Sequence, residues 1–245
     1  MKFTSVTIIV GTTNEKESLI CTVDTIMNSC SSEDIDKILL VKSKDASENC
    51  NFAIGLLEQK YPGKVFGLEQ TRPFVGGAIR DGFDAASSSH IMLLPSDLGV
   101  DLRCVPLMIE KVKEKPSVIS KTSRWLQKDS FHNYNDTRRL FNKAAQIFLR
   151  VLFGIGLTDF TSPVQTAPSE AYEKSNWKEL NFPFLLEMVL VPLRLGYAFE
   201  EIPVECFERK EGFSRNSVKQ TALYLRTALR VRFTPKSKLV KEQKK

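Results

Sequence analysis

Two hydrophobic rhythms alternate along residues 1–123. A nearly continuous apolar run at 3–11 predicts a buried strand, and Leu19, Val23, Ile26 and Met27 then recur at helical spacing over 15–28, with Asn14 at the N-cap. The exchange repeats: a strand at 38–41, a helix at 47–60 closed by Pro62 and Gly63, and a short strand at 65–68. A helix at 76–86 opens on Gly76 and Gly77, followed by a fourth strand at 90–94, a helix around 106–113 and a fifth strand at 117–121. Strands and helices alternating at this spacing predict βαβ units, hence an α/β fold with a mostly parallel sheet flanked by helices.

Past residue 123 the rhythm changes. Residues 125–136 are polar and aromatic without a period and predict a loop, and a long amphipathic helix is expected at 136–153, stopped by Gly154 and Gly156. An extended segment at 160–167 precedes an apolar helix at 182–195, with Pro183 near its start, Gly196 past its end, and Pro192 expected to kink or shorten it. A strand at 197–207 and a helix at 216–232 complete the pattern. No repeat or low-complexity linker divides the chain, so one domain is expected over 1–232, followed by a flexible basic tail at 233–245.

Composition narrows the class. With 245 residues, 42% hydrophobic and 26% charged, the chain is long enough to bury a full core and has an ordinary globular balance. Apolar runs such as 91–94 and 188–193 are too short to span a bilayer, and the N-terminal segment reads as a core strand rather than a signal peptide. Five scattered cysteines without paired spacing suit thiols in a reducing cytoplasm better than disulfides or zinc.

Charge is unevenly placed. Residues 209–245 hold twelve Lys/Arg against two Glu, a net of +10 in a chain whose total is +6, which leaves −4 for the rest. In 216–232, Val218, Ala222, Leu225 and Leu229 share one helical face and Lys219, Arg226 and Arg230 another. That pattern suits either peripheral contact of 216–245 with an anionic membrane or packing on the sheet with the basic side in water. Nucleic acid is not an expected partner, because no aromatic ladder accompanies the charge.

The candidate chemistry gathers where strands end. The apolar run at 91–94 breaks at Pro95 and delivers Asp97 to the carboxyl end of a strand, where open α/β sheets bind ligands. A carboxylate there suits a divalent cation holding phosphates. Gly76 and Gly77 permit close backbone approach and open a helix whose amides favour phosphate, or simply form a tight turn before a core helix. Asn14 and Glu15 follow the first strand and either contact a base and ribose or cap the next helix. Arg124, Arg138 and Arg139 flank the polar loop, as solvated cations or as bidentate phosphate ligands. Glu187 lies in an otherwise apolar helix, where a buried carboxylate needs a partner or a function.

Taken in order, these pieces resemble the GT-A glycosyltransferases of family 2, the group that includes dolichyl-phosphate mannosyltransferase and polyprenyl-phosphate sugar transferases. The resemblance runs from about residue 6 to about 230. It is carried by Ile8-Ile-Val-Gly-Thr-Thr-Asn-Glu15, Gly76-Gly-Ala-Ile-Arg-Asp-Gly82, Leu93-Leu-Pro-Ser-Asp-Leu98 in the place of an Asp-x-Asp strand end, Ser123-Arg124 and Asp159-Phe-Thr-Ser-Pro163. Phe184-Leu-Leu-Glu-Met188, Leu195-Gly-Tyr197, Glu201-Ile-Pro-Val204 and Glu208-Arg-Lys-Glu-Gly-Phe-Ser-Arg215 complete it. The chain also departs from the family pattern. Val41-Lys-Ser-Lys-Asp45 replaces Val-Asp-Asp-Gly-Ser, Pro95 replaces the first acid of Asp-x-Asp, and Gly11, Gly99 and Pro163 stand at other family positions.

The resemblance implies an inverting enzyme that moves a hexose from a nucleotide-sugar to a polyprenyl or dolichyl phosphate at the cytoplasmic face of a membrane. It implies donor contacts from Thr12, Asn14, Glu15, Lys42, Asp45, Gly76, Gly77 and Ser214, and acceptor-phosphate contacts from Arg124 and Arg138 or Arg139. Asp97, Asp159, Glu187 and Arg209 become the catalytic set. Mg²⁺ or Mn²⁺ would sit on Asp97, weakly held because Pro95 supplies no oxygen, with help from Asp101 and with Lys42 and Lys44 partly replacing a cation. Lost carboxylates at Lys42, Ser43 and Pro95 also fit a different expectation, a catalytically silent relative acting as a binding or scaffolding partner.

Overall fold

The computed structural model describes residues 1–133, 135–211 and 218–242. It contains a seven-stranded sheet built from β1 (Val6–Thr12), β2 (Ile35–Lys42), β3 (Val65–Glu69), β4 (His90–Pro95), β5 (Ile119–Ser123), β6 (Gln165–Pro168) and β7 (Phe199–Pro203). The spatial order is β3-β2-β1-β4-β6-β5-β7; β6 alone runs antiparallel to its neighbours, and the other pairs are parallel. Helices α1 (Glu17–Ser29), α2 (Glu48–Lys60), α3 (Phe74–Ala85) and α4 (Cys104–Glu114) connect the first five strands. The C-terminal half adds α5 (Asp136–Phe153), α6 (Ser169–Glu173), α7 (Phe184–Leu195), α8 (Val218–Phe233) and α9 (Lys236–Leu239).

The side-chain alternation of a strand decides which helices cover which face. In β1, Ile8 and Val10 pack with Leu19, Val23 and Ile26 of α1 and with α2, while Ile9 points the other way toward Ala78, Ile79 and Phe184. Burying an isoleucine or leucine completely stabilises by about 1.5–3 kcal/mol, so both faces of the central strands are strongly committed. A third apolar cluster joins Leu149, Leu186, Leu190, Ala228, Val231 and Leu239, and holds α5, α7, α8 and α9 together.

Several expectations shift by a physical cause. α1 begins at Glu17 with Lys16, not Asn14, as its N-cap. The Glu15 carboxylate accepts from the amides of Thr13 and Asn14 and from the Thr12 hydroxyl, which folds those residues into a turn. α3 begins at Phe74, so the glycine pair lies inside its first turn. α7 continues through Pro192 to Leu195, and the Pro192 carbonyl accepts from Gly196 and Tyr197 as the chain turns left-handed at Gly196 (φ 103°). Strand pairing takes only 165–168 and 199–203 from the longer extended stretches. The flexible tail expected at 233–245 is corrected for its described part: Leu239 is buried, Asn176 N–H donates to its carbonyl at 2.8 Å, and Lys241 N–H donates to Lys174 at 2.7 Å.

Candidate active site

The carboxyl ends of β1, β2 and β4 lie side by side, with Thr12 paired to Lys42 and Gly11 to Pro95. Thr12 is buried, its hydroxyl placed between the Glu15 carboxylate and Cys50. Lys42 donates to the Asn51 side chain at 2.8 Å, and Asp45 is exposed on the turn that follows. Thus Thr12, Asn14, Glu15, Lys42 and Asp45 do share one end of the sheet, although Glu15 is chiefly engaged in shaping the β1–α1 turn.

Beyond β4 the Ser96 hydroxyl donates to Gly11 O at 2.9 Å and pins the loop across β1. Asp97 is nearly buried; its Oδ1 accepts from Gly99 N–H at 2.9 Å, and the chain passes through a left-handed residue at Leu98 (φ 54°). A Cβ at position 99 would stand 3.0 Å from Asp97 Oδ1, so glycine leaves that turn uncrowded. The other Asp97 oxygen meets Arg209 Nε at 3.0 Å, and the Asp97 carbonyl accepts from Lys210 N–H at 3.2 Å.

Arg209 belongs to a strap that leaves β7 and runs beside the Asp97 loop. Phe207 N–H donates to Gly99 O, Asp101 N–H donates to Glu205 O, and Val100 bridges Cys206 antiparallel. The strap then reaches α1. Glu211 Oε2 accepts from Lys16 N–H and Ser18 N–H at 2.9 Å and from the Ser18 hydroxyl at 2.6 Å. Burial pushes the Glu211 carboxyl up, but the bonds from Ser18 and Lys16 outweigh it and hold the group below its ordinary range. Amides at a helix N-terminus favour such a charge. Residues 205–211 therefore bind the β4 loop at Asp97 and the start of α1 at Ser18. Ser214 lies outside the described residues.

A second ion pair lies below the end of β5. Arg124 Nε and one terminal nitrogen donate to Asp159 at 2.7 and 2.9 Å, and the same carboxylate accepts from the amides of Arg124, Thr161 and Ser162. Burial alone would raise the Asp159 pKa; the Arg124 charge and these bonds overcome it and set the value at about 2. Lys121, fully buried within β5, is lowered to about 8 by desolvation and donates to Ser162 O. Glu201 of β7 braces the same segment, accepting from the amides of Thr158 and Asp159 at 2.7 and 2.8 Å. This arrangement corrects the picture of Arg124 as an open phosphate clamp: its guanidinium is largely buried and engaged by Asp159 and Thr161. Arg139 stands over the Phe131 ring at 5.3 Å, with Arg124 also over that ring at 5.8 Å, and Arg138 is exposed on α5.

Two further assignments are corrected. The amides of Gly76 and Gly77 both donate to Leu180 O, so they are not presented to a phosphate. A Cβ on Gly76 would meet Leu180 O at 2.7 Å, and one on Gly77 would meet the Arg72 backbone at 2.7 Å; glycine is needed for packing between backbones. Glu187 is fully buried, but its oxygens accept from the amides of Lys178 and Glu179 and from Arg230 at 2.6 Å. It ties α7 to α8 and shares no hydrogen-bonding partner with Asp97 among the described residues.

Sequence reasoning missed Glu211, Glu201 and Lys121 as members of these networks. Glu201 and Glu211 lie within motifs already singled out, and Lys121 is a lone charge in a buried strand, which is itself a signal.

The arrangement can be set beside known proteins. The sequence profile described as "Glycosyl transferase family 2" matches residues 7–173, from β1 through α6. The chain belongs to that family. Polyprenol monophosphomannose synthase of Mycolicibacterium smegmatis is 22% identical over 217 residues, covering 86% of this chain and 80% of that protein. Among solved structures, glucosyl-3-phosphoglycerate synthase of Mycobacterium tuberculosis with Mn²⁺, uridine diphosphate and phosphoglyceric acid aligns with a TM-score of 0.69 at 14% identity, over 95% of this chain and 80% of that one. The same enzyme with Mg²⁺ and uridine diphosphate aligns at 0.66 and 14% identity, over 93% and 78%. At such identity these structures establish the shared GT-A fold. Family membership makes this chain a glycosyltransferase and does not favour the silent-scaffold expectation. The profile match ends before α7, so Glu187 and the Arg209 strap lie beyond it.

The metal bound in those neighbours can be tested against the residues here. No group of three or more His, Cys, Asp or Glu suited to a metal ion occurs among the described residues. Asp97 faces Arg209, Pro95 offers no side-chain oxygen, and Asp101 is engaged by Arg103 at 2.7 Å. A divalent cation prefers several oxygen ligands, so this donor set does not fit one well.

Proposed function

We propose that this glycosyltransferase moves a hexose from a nucleotide-sugar to a polyprenyl phosphate, with inversion at the anomeric carbon, at the cytoplasmic face of a membrane. The observation that carries the reading is the strap: Arg209 stands against Asp97 at the carboxyl ends of β1, β2 and β4, where an open α/β sheet accepts a nucleotide. The resemblance to polyprenol monophosphomannose synthase supports the lipid acceptor.

In this mechanism an acceptor phosphate oxygen forms the bond to the anomeric carbon as the bond to the donor diphosphate breaks, and the nucleoside diphosphate leaves. The attacking oxygen is already anionic, so no strong general base is needed; the protein aligns the reactants and stabilises charge on the leaving group. Arg209 turns from Asp97 to the leaving diphosphate, with Lys42 beside it and Ser214 from the following segment. Asp97 orients Arg209 and the donor. Arg139 and Arg138 meet the acceptor phosphate, while Asp159 positions Arg124 behind them. Cationic side chains take much of the part that a tightly held metal plays elsewhere.

Thermal-shift titration with uridine and guanosine nucleotide-sugars, with Mg²⁺, with Mn²⁺ and with EDTA, tests the donor half. At least one donor is expected to stabilise the protein, and transfer to a polyprenyl phosphate is expected to persist in EDTA and to fall sharply in Arg209→Ala. Stabilisation by no nucleotide-sugar under any of these conditions would overturn the donor assignment.

A further inference from the structure

Left-handed backbone is uncommon for residues other than glycine, and for a bulky side chain it needs a reason. Among the described residues four non-glycine residues adopt it: Phe74 (φ 64°), Leu98 (φ 54°), Asp129 (φ 57°) and Asn133 (φ 53°). Asp and Asn tolerate the region because their short polar side chains bond locally. Leu98 offsets its cost by packing against the apolar cluster that joins β1 and α1. Phe74 has neither compensation. It is 59% exposed and belongs to none of the three apolar clusters.

The turn that carries Phe74 is fixed on both sides. Before it, Gln70 N–H donates to Lys42 O at 2.9 Å, the Gln70 side chain donates to Arg72 O at 3.0 Å, and Asp81 accepts from the amides of Thr71 and Arg72 at 2.5 and 3.0 Å. After it, the amides of Gly76 and Gly77 donate to Leu180 O at 2.8 and 3.2 Å. Strain persists only where the surroundings over-determine it, and it gathers at functional sites. Glycine would meet this conformation without strain. The phenyl ring therefore costs stability and adds nothing to the core.

Its place suggests what the ring is for. β3 lies beside β2, with Glu69 paired to Lys42, so the turn after β3 borders the strand ends where the donor was placed above. Polar groups at this border are already engaged: Lys42 by Asn51, and the Glu15 carboxylate by the amides of Thr13 and Asn14. Phe52, exposed on α2, has Lys16 Nζ over its ring at 5.5 Å, whereas no ring or cation among the described residues meets Phe74. What remains to offer a nucleotide here is an open aromatic face. We infer that Phe74 stacks on the base of the bound nucleotide and is a binding determinant for the donor. Every base has a π-face, so this contact favours nucleotides over a bare diphosphate and distinguishes little between uracil and guanine. The inference rests on the donor site proposed above and deepens it.

Calorimetric titration of the full chain with uridine diphosphate, guanosine diphosphate and inorganic pyrophosphate tests it. Phe74→Ala and Phe74→Leu should weaken both nucleotides about tenfold and leave pyrophosphate unchanged, and Phe74→Trp should restore nucleotide binding. Phe74→Gly separates the ring from the strain. It should lose nucleotide affinity as Phe74→Ala does, yet melt about 2–4 °C above that variant, because only glycine relieves the left-handed backbone. Nucleotide affinity that ignores loss of the ring overturns the inference and leaves the donor reading standing. So does an equal loss of pyrophosphate affinity, which would mean that the turn itself had moved, or native affinity in Phe74→Leu, which would reduce the ring to apolar area. Equal melting of the Gly and Ala variants overturns it too, since the ring would then be held at no cost. A native chain that binds neither nucleotide overturns the donor reading, and this inference with it.

Discussion

Asp97, just past β4, and Asp159, in the segment between α5 and β6, each face an arginine, yet the two pairs are built differently. Asp159 is fully buried and collects the Arg124 guanidinium together with several backbone amides, and Arg124 is itself largely enclosed. Asp97 meets Arg209 through a single contact at 3.0 Å, with the arginine side chain 49% exposed. A buried pair recovers its desolvation cost only when its lone pairs are met, and removing one partner then costs about 3–5 kcal/mol. An exposed pair is worth about 0–1 kcal/mol, so a phosphate can displace the carboxylate from the arginine with little loss. The first pair is architecture that fixes the end of β5; the second is a contact that a ligand can exchange.

The largest effect should come from breaking the buried pair. Asp159→Ala leaves Arg124 enclosed without its countercharge and is expected to lower unfolding free energy by about 3–5 kcal/mol in urea titration. Native-like stability in that variant would erase the distinction between the two pairs.

Acid probes the same group more gently. Its folded pKa of about 2 lies below the ordinary value of 3.8, so its contribution is fully present above about pH 4 and is lost as pH falls through 2. Melting temperatures measured from pH 5 down to 2 should fall more steeply for the native chain than for Asp159→Asn.

Gly76→Ala sharpens the separation of packing from binding. The added methyl meets the Leu180 carbonyl, and a loss of about 1–3 kcal/mol is expected from overpacking. Donor affinity of the folded fraction should remain native, because the glycine amides are already bonded within the protein. A donor-affinity loss without destabilisation would return the glycines to the nucleotide site.

Arg209→Ala should be the mildest for stability, within about 0.5 kcal/mol, while kcat/KM for transfer falls about tenfold to a hundredfold. Glu211→Gln, which weakens the strap's hold on α1 without touching Arg209, should produce a smaller loss of the same kind. Destabilisation by Arg209→Ala comparable with that of Asp159→Ala would show that the strap is structural after all.

The strand-and-helix alternation of 1–123 was legible because local hydrophobic period sets which face an element buries, and the sheet followed from it. Gly76, Gly77 and Glu187 stayed open between two readings for one reason: a glycine or a lone carboxylate is ambiguous until its distant neighbour is known. Here those neighbours are Leu180 and Arg230, separated by more than a hundred residues or brought in by another helix. The same limit hid Glu211, whose partners Lys16 and Ser18 lie at the opposite end of the chain.

What the sequence determined by itself was the α/β architecture, the family and the set of strand ends where chemistry gathers, because periodicity and ordered motifs are local properties. What only the tertiary structure decided was which polar groups were already satisfied and that the Phe74 ring stays exposed on a strained turn. Those depend on long-range contacts: a hydrogen bond consumed by a distant carbonyl cannot bind substrate, and a turn keeps a left-handed phenylalanine only where groups from other elements fix its ends.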